Sequence, residues 1–178
     1  MERKEKIMFN RITGVLKLDA NTFEEVEHDL NATVQAGIIV VIVAICQGIA
    51  NLYVTAFSQG NILLAFFGAV FWTIVGWILW SIISYVIGTW LFAGQATIGE
   101  MLRVIGFAYA PQVLALVPCI GGIVGILWSL VAAFIAVRQG LDLDNLRTIF
   151  TILIGFAVYF IGSFFVTLFL SGFSGIFR

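Results

Sequence analysis

The chain has 178 residues, 61% of them hydrophobic and only 11% charged, with a formal net charge of −1. Soluble domains sit near half apolar and a quarter charged, so this composition excludes a water-solvated globule, which would have too little polar surface to cover it. With no basic excess, charge gives no reason to expect a nucleic-acid partner. A lipid bilayer is the partner the composition requires.

Residues 1–31 are polar and charged and are expected to form a cytoplasmic or interfacial segment. A cleaved signal peptide needs a short basic start and an early apolar core. The first apolar run begins only near Thr33, so the first span is expected to be retained. Arg11 to Leu18 sets Ile12, Val15, Leu16 and Leu18 among basic residues, which suits a short amphipathic or extended segment on the membrane surface. Asp19-Ala20-Asn21 reads as a turn. Thr22-Phe23-Glu24-Glu25 reads as a capping box, with Thr22 accepting from the Glu25 amide, and predicts a short amphipathic helix from Phe23 to His28.

Five spans follow, predicting an all-α, polytopic transmembrane helical bundle. They cover about 33–56, 62–92, 98–117, 123–137 and 146–170, with a short external tail over 171–178. The second would be about 46 Å long as a helix. A hydrocarbon core is about 30 Å thick, so this span must tilt, bend or project past the interface; the sequence leaves open whether it is one helix. In the third, the uncharged stretch from Val104 to Val117 would reach only roughly 21 Å. Either its charged start enters the membrane or the apolar turn after it dips below the surface. Pro111 removes the hydrogen bond to the Phe107 carbonyl, so a kink is expected there.

Lys and Arg concentrate on the cytoplasmic side of spans. With five spans and a cytoplasmic N terminus, Arg3, Lys4, Lys6, Arg11, Lys17, Arg103, Arg138 and Arg147 all fall inside, and only Arg178 falls outside. Trp90 is expected near the inner interface. Trp72, Trp77, Trp80 and Trp128 lie mid-span and are expected to be packing residues.

Glu100 and Arg103 are the only charges within an apolar stretch. Three apart on a helix, they share a face. Intramembrane charge tends to mark function; the alternative is a boundary ion pair with Arg103 reaching lipid headgroups. Gln47, Asn51 and Gln112 could line a polar pathway or hydrogen-bond between helices. Gly106 with Ala110, Gly121 with Gly125, and Ser84 with Gly88 are each four apart, a spacing that lets helices approach closely within a bundle or a homo-oligomer.

No set of residues for catalysis is recognisable, and neither cofactor nor metal is expected. Cys46 and Cys119 sit in or beside apolar runs, with no CxxC or Cys/His cluster, and read as small packing residues. Asp142-x-Asp144 is too short for a calcium loop; Asp144 is expected to cap the fifth span and Gly140 to end the fourth. His28, the single histidine, reads as a solvated helix-end residue. Intramembrane proteolysis would need an embedded Asp pair or a Ser/His pair, and no Asp occurs between Leu30 and Leu141.

Three stretches resemble the Yip family of Ypt/Rab-interacting multispan membrane proteins. They are Arg11-Ile12-Thr13-Gly14-Val15-Leu16 with Thr22 to Glu27, then Gly94-Gln95-Ala96-Thr97-Ile98 leading to Gly106-Phe107-Ala108-Tyr109-Ala110-Pro111, and Trp128-Ser129-Leu130 with Arg138 to Leu141 and Leu146-Arg147. The resemblance implies five spans and a cytosolic N terminus. In eukaryotic members it implies Rab-type GTPase partners and vesicle trafficking between endoplasmic reticulum and Golgi. The longer N-terminal region with an Asp-Leu-Tyr-Gly-Pro motif is missing here, so the chain looks like the short prokaryotic-type branch; the expected location is the plasma membrane in a prokaryote and the endoplasmic reticulum or Golgi in a eukaryote.

Two functions compete. The first is a non-enzymatic scaffold or adaptor that presents Phe23, Glu24, Glu25, Glu27, Asp142 and Asp144 to a membrane or cytoplasmic protein partner. The second is a small-solute or lipid transporter or channel built on Glu100, Arg103, Gln112, Gln47 and Asn51 around the Pro111 kink.

Overall fold

A computed structural model describes residues 2–58, 60–118 and 120–176. Within them the chain is helical: α1 (Glu2–Leu16), α2 (Ala20–His28), α3 (Ala32–Ser58), α4 (Ile62–Phe92), α5 (Ile98–Ala108), a 3-10 helix (Ala110–Leu116), α6 (Gly121–Gly140) and α7 (Asn145–Ile176). The all-helical, multi-pass expectation holds. Among the described residues, four helices, α3, α4, α6 and α7, are long and apolar enough to cross a membrane. Their outward faces carry exposed apolar side chains such as Phe67, Phe71, Ile126, Leu153 and Phe160, which lipid would solvate.

The N-terminal segment is more ordered than the sequence suggested. The stretch holding Arg11 is the end of a fifteen-residue helix, α1, not a short surface segment. Leu18 takes a left-handed φ of 60° and turns the chain. Asp19, not Thr22, caps α2: its carboxylate accepts from the Asn21 amide at 3.2 Å and from the Thr22 hydroxyl at 2.9 Å. The expected box at Thr22 therefore lies inside the helix it was meant to start. The pattern is realised elsewhere, at Thr97-Ile98-Gly99-Glu100, where the Glu100 amide donates to the Thr97 hydroxyl and the Thr97 amide to the Glu100 carboxylate.

Helix α4 is a single helix of 31 residues. It ends through Ala93, left-handed at φ 55°, with the Gly94 amide returning to the Gly88 carbonyl at 2.9 Å, a common helix stop. The expected third span is not one helix. Its α-helical part stops at Ala108 and a seven-residue 3-10 helix continues, with Pro111 in its first turn. The Gln112 amide bonds the Tyr109 carbonyl, three residues back. Proline cannot supply the four-back bond, and the tighter winding resolves the fault as a break, not a kink.

Helix α5 is the centre of the packing. Met101, Val104, Ile105, Phe107 and Ala108 are buried among Ala36, Ile39 and Val43 of α3 and Ala132, Ala136 and Val137 of α6. Glycine permits these close approaches. A Cβ on Gly106 would stand 2.8 Å from that of Ala36, and one on Gly140 would stand 2.8 Å from a Val104 methyl. Gly140 is the last residue of α6, as expected, and also serves helix packing; the left-handed residue beyond that helix is Asp142, at φ 53°. Asp144 does cap α7, accepting from the Arg147 amide at 2.8 Å. The expected tail is largely part of α7, which runs to Ile176.

Trp77 and Trp80 pack as expected, with Trp80 and Phe156 bringing α4 and α7 together at 4.8 Å between ring centroids. Trp72 does not: it is 59% exposed. Trp128 is partly exposed and donates to the Leu16 carbonyl at 3.1 Å, tying α6 to the end of α1. Cys46 is buried and free, as a packing residue would be, while Cys119 lies outside the described residues.

Candidate functional site

The polar side chains sort into two groups at opposite halves of the bundle. One group fastens α1 and α2 onto the rest. Arg11 is buried. Its Nε and Nη2 donate to Glu25 Oε1 at 2.9 and 2.8 Å, Nη2 also to Asp29 Oδ2 at 2.8 Å, and Nη1 to Gln35 Oε1 at 3.0 Å. One guanidinium thus joins α1, α2 and α3, using the planar fork that suits arginine to this task. Burial works to lower the Arg11 pKa, but the bonds it donates to Asp29 and Glu25 outweigh it and the net shift is upward. The hydrogen bond from Arg11 holds Asp29 below the usual carboxylate value.

Arg103 forms the second fastening. It is 4% exposed, so it does not reach for headgroups. Its Nε, at 3.0 Å, and Nη2 donate to the backbone carbonyl of Glu27, and Nη1 donates to the Thr33 hydroxyl at 3.4 Å. A cation here satisfies a carbonyl left open by the C-terminus of α2. Glu100 stands 3.8 Å from Arg103, but its shorter bond is the 2.7 Å cap on Thr97. The two charges are therefore structural parts of this junction.

The same junction corrects part of the expected partner surface. Phe23 is fully buried in the core and Glu27 is only 5% exposed, so neither is available to a partner. The apolar side of α2 meets α5 and α6 of its own bundle. Glu24, Asp142 and Asp144 remain exposed, although Glu24 accepts from Gln139 at 3.0 Å. Glu25 is exposed but engaged by Arg11. Glu27 Oε2 is buried and has no hydrogen-bond partner among the described residues. Burial, reinforced by Asp142, Glu24 and Glu100 against the opposing effect of His28, pushes its pKa up to about 7.

The second group lies in the other half. Gln47, Asn51 and Gln112 line one partly open cavity of about 840 Å³, together with Tyr53, Trp72, Thr73, Tyr109 and Tyr159. Gln47 Nε2 donates to Gln112 Oε1 at 3.3 Å, and Asn51 Nδ2 donates to the Ala65 carbonyl at 3.4 Å. These are long bonds that leave most of the amide capacity unused. A smaller cavity of about 200 Å³ adjoins it, sharing Gly76, Tyr109, Gln112 and Tyr159. Of the five residues expected to form a polar pathway, three therefore come together here. Glu100 and Arg103 stand apart, separated by the apolar core around Phe107 and Ile105.

The cavity volume lies within the common range of small-molecule sites, roughly 300–1,000 Å³. Among the described residues its wall carries amides, hydroxyls and aromatic rings but no charged group. Sequence reasoning found the amides by their placement in apolar helices. It missed Tyr53, Tyr109 and Tyr159, because an aromatic residue in a span reads as packing until the break at Ala108 opens space beside it.

No curated protein and no solved structure matches the chain at a significant level. The Yip1 domain model matches residues 13–168, which takes in α2 to the 3-10 helix, α6 and most of α7. The chain is a multi-pass membrane protein belonging to the Yip1 domain family.

Proposed function

We propose that this protein is a non-enzymatic membrane protein that holds a neutral amphiphile, a lipid or a molecule like one, in the cavity between α3, α4 and the 3-10 helix. The observation that carries this reading is the convergence of Gln47, Asn51 and Gln112 on one uncharged, aromatic-walled space. Amides with spare capacity suit hydroxyl, amide or glycosyl groups, while the surrounding rings suit an acyl chain. Ionic solute transport fits less well, since Glu100 and Arg103 are committed to the junction.

Five passes with the N terminus in the cytoplasm complete the reading. Helix α5 and the 3-10 helix add up to about 30 Å if traversed end to end, which is one hydrocarbon thickness. Eight of the nine Lys and Arg residues then face the cytoplasm, as the retention of positive charge requires. The membrane would be the plasma membrane in a prokaryotic host and the endoplasmic reticulum or Golgi in a eukaryotic one.

The test is native mass spectrometry of the whole chain, released from mild detergent with its bound lipid. Wild type should retain one amphiphile per chain, and Ala115→Trp, which fills the cavity, should lose it with little change in melting temperature. Equal retention by both, or none by wild type, would count against the reading.

A second reading, an adaptor, keeps support from the exposed carboxylates of Glu24, Asp142 and Asp144. A Rab-type GTPase or another protein would dock on that face. Crosslinking in the native membrane before and after Asp142→Lys checks it: a protein adduct lost in the variant supports an adaptor, and an unchanged adduct pattern argues against one.

A further inference from the structure

The last turn of α2 contains a feature that neither the cavity nor the junction explains. Glu24, Glu27 and His28 are spaced i, i+3 and i+4, so they share one helix face. One carboxylate oxygen from each acid and one ring nitrogen of His28 lie within 4.8 Å of one another.

Taken alone, two acids and a histidine on a helix are common. A second observation distinguishes these. Glu27 is 95% removed from solvent, and its Oε2 has no partner among the described residues. A buried oxygen without a donor is costly, and a native structure normally provides it with one. Arg103, close by, does not do so: its guanidinium is used on the Glu27 backbone carbonyl, Thr33 and Glu100. Glu24, Glu100 and Asp142 add further negative charge around Glu27. The histidine is set up in the complementary sense. Its Nδ1 donates to the Glu24 carbonyl at 2.9 Å, which fixes the tautomer and leaves Nε2 with its lone pair free. A backbone carbonyl on the far ring nitrogen is the usual support of a ligating histidine.

We propose that Glu24, Glu27 and His28 form a binding site for a divalent transition-metal ion, with Zn2+ the best match. Two carboxylates and one imidazole form a zinc ligand set of the kind that leaves a fourth position to water or another oxygen. The set lacks the thiolates that select Cu(I) and the six to eight oxygens that Ca2+ takes. Zinc ligands bind at about 2.0–2.2 Å, so the side chains must close in slightly, and the exposed Glu24 carboxylate can move to do so while the His28 ring keeps its bond to the Glu24 carbonyl. The ion would satisfy Glu27 Oε2 and clamp the end of α2 at the point where Arg103 already holds its carbonyl. None of these residues lines the cavity, so this site stands or falls independently of the amphiphile reading.

The experiment uses the full chain in nanodiscs, stripped with a chelator and titrated with Co2+, whose visible absorption reports coordination number, followed by displacement with Zn2+. Wild type should bind one Co2+ per chain with the intense bands of a four- or five-coordinate site and release it to Zn2+. Glu27→Gln, which is isosteric, and His28→Gln, at an exposed position, should each weaken binding by about tenfold or more. Glu5→Gln, an exposed acid elsewhere on the N-terminal segment, should bind as wild type does. Helix content by circular dichroism verifies that each variant is folded. No saturable binding by wild type, or binding unchanged in Glu27→Gln and His28→Gln, would overturn the proposal.

Discussion

The two halves of the bundle use polar residues in contrasting ways. At the end carrying α1 and α2, Arg11 makes four hydrogen bonds at 2.8–3.0 Å, and Arg103 clasps a helix end from within the core. In the other half, Gln47, Asn51 and Gln112 make one bond each, at 3.3–3.4 Å, around open space. Polar groups at one end hold the fold together; at the other they line open space, the proposed amphiphile site. Substitutions at the first end should therefore lower stability, and substitutions at the second should alter binding while leaving the fold nearly intact.

The largest loss should come from Phe23→Ala, which empties a fully buried site where α2 meets α5 and α6. Truncations of this kind typically cost about 3–5 kcal/mol, measurable as denaturant unfolding in a fixed detergent. A cost below about 1 kcal/mol, typical of an exposed site, would mean that α2 is not part of the core. Next comes Arg103→Ala. It removes a charged donor from a buried carbonyl, and bonds of that type are worth about 1.5–3 kcal/mol. Arg103→Lys should recover only part of this, since one ammonium cannot reproduce the guanidinium fork.

Glu27 gives a pH signature. Its folded pKa of about 7 lies above its ordinary value of 4.5, so the native state binds the extra proton. Its contribution is fully present below pH 4.5, declines as pH rises, and is lost above about 7. Melting temperature measured without metal should therefore fall across that window, and Glu27→Gln should flatten this part of the profile. A wild-type profile with the same slope as the variant would contradict the assignment. The smallest effect on stability belongs to Gln112→Leu, about 0.6 kcal/mol for a single interhelical bond, together with a clear loss of retained amphiphile in native mass spectrometry.

The same contrast explains what could be read from the sequence. Long apolar runs gave α3, α4, α6 and α7 within a few residues at most ends, because lipid solvation requires continuous hydrophobicity whatever the neighbours are. The break after Ala108 was signalled by Pro111, but its form was not: a kink and a switch to 3-10 winding begin from the same missing donor. Two Thr-x-x-Glu patterns occur, at Thr22 and Thr97, and only the second is a cap. Asp19 takes the first helix start, which residue spacing alone could not decide. The pattern at α2 showed one apolar side but not what that side meets, so Phe23 looked like a partner surface when it belongs to the core. Arg11 looked like one more cytoplasmic charge, because the groups that receive it lie 14, 18 and 24 residues away in the chain.

The contrast between the two halves is tested most directly by measuring the unfolding free energies of Arg103→Ala and Gln112→Ala side by side in the same micelle. The expected loss is about 1.5–3 kcal/mol for the first and under about 1 kcal/mol for the second. Equal losses, or a larger loss at Gln112, would contradict the division between a fastened end and a binding end.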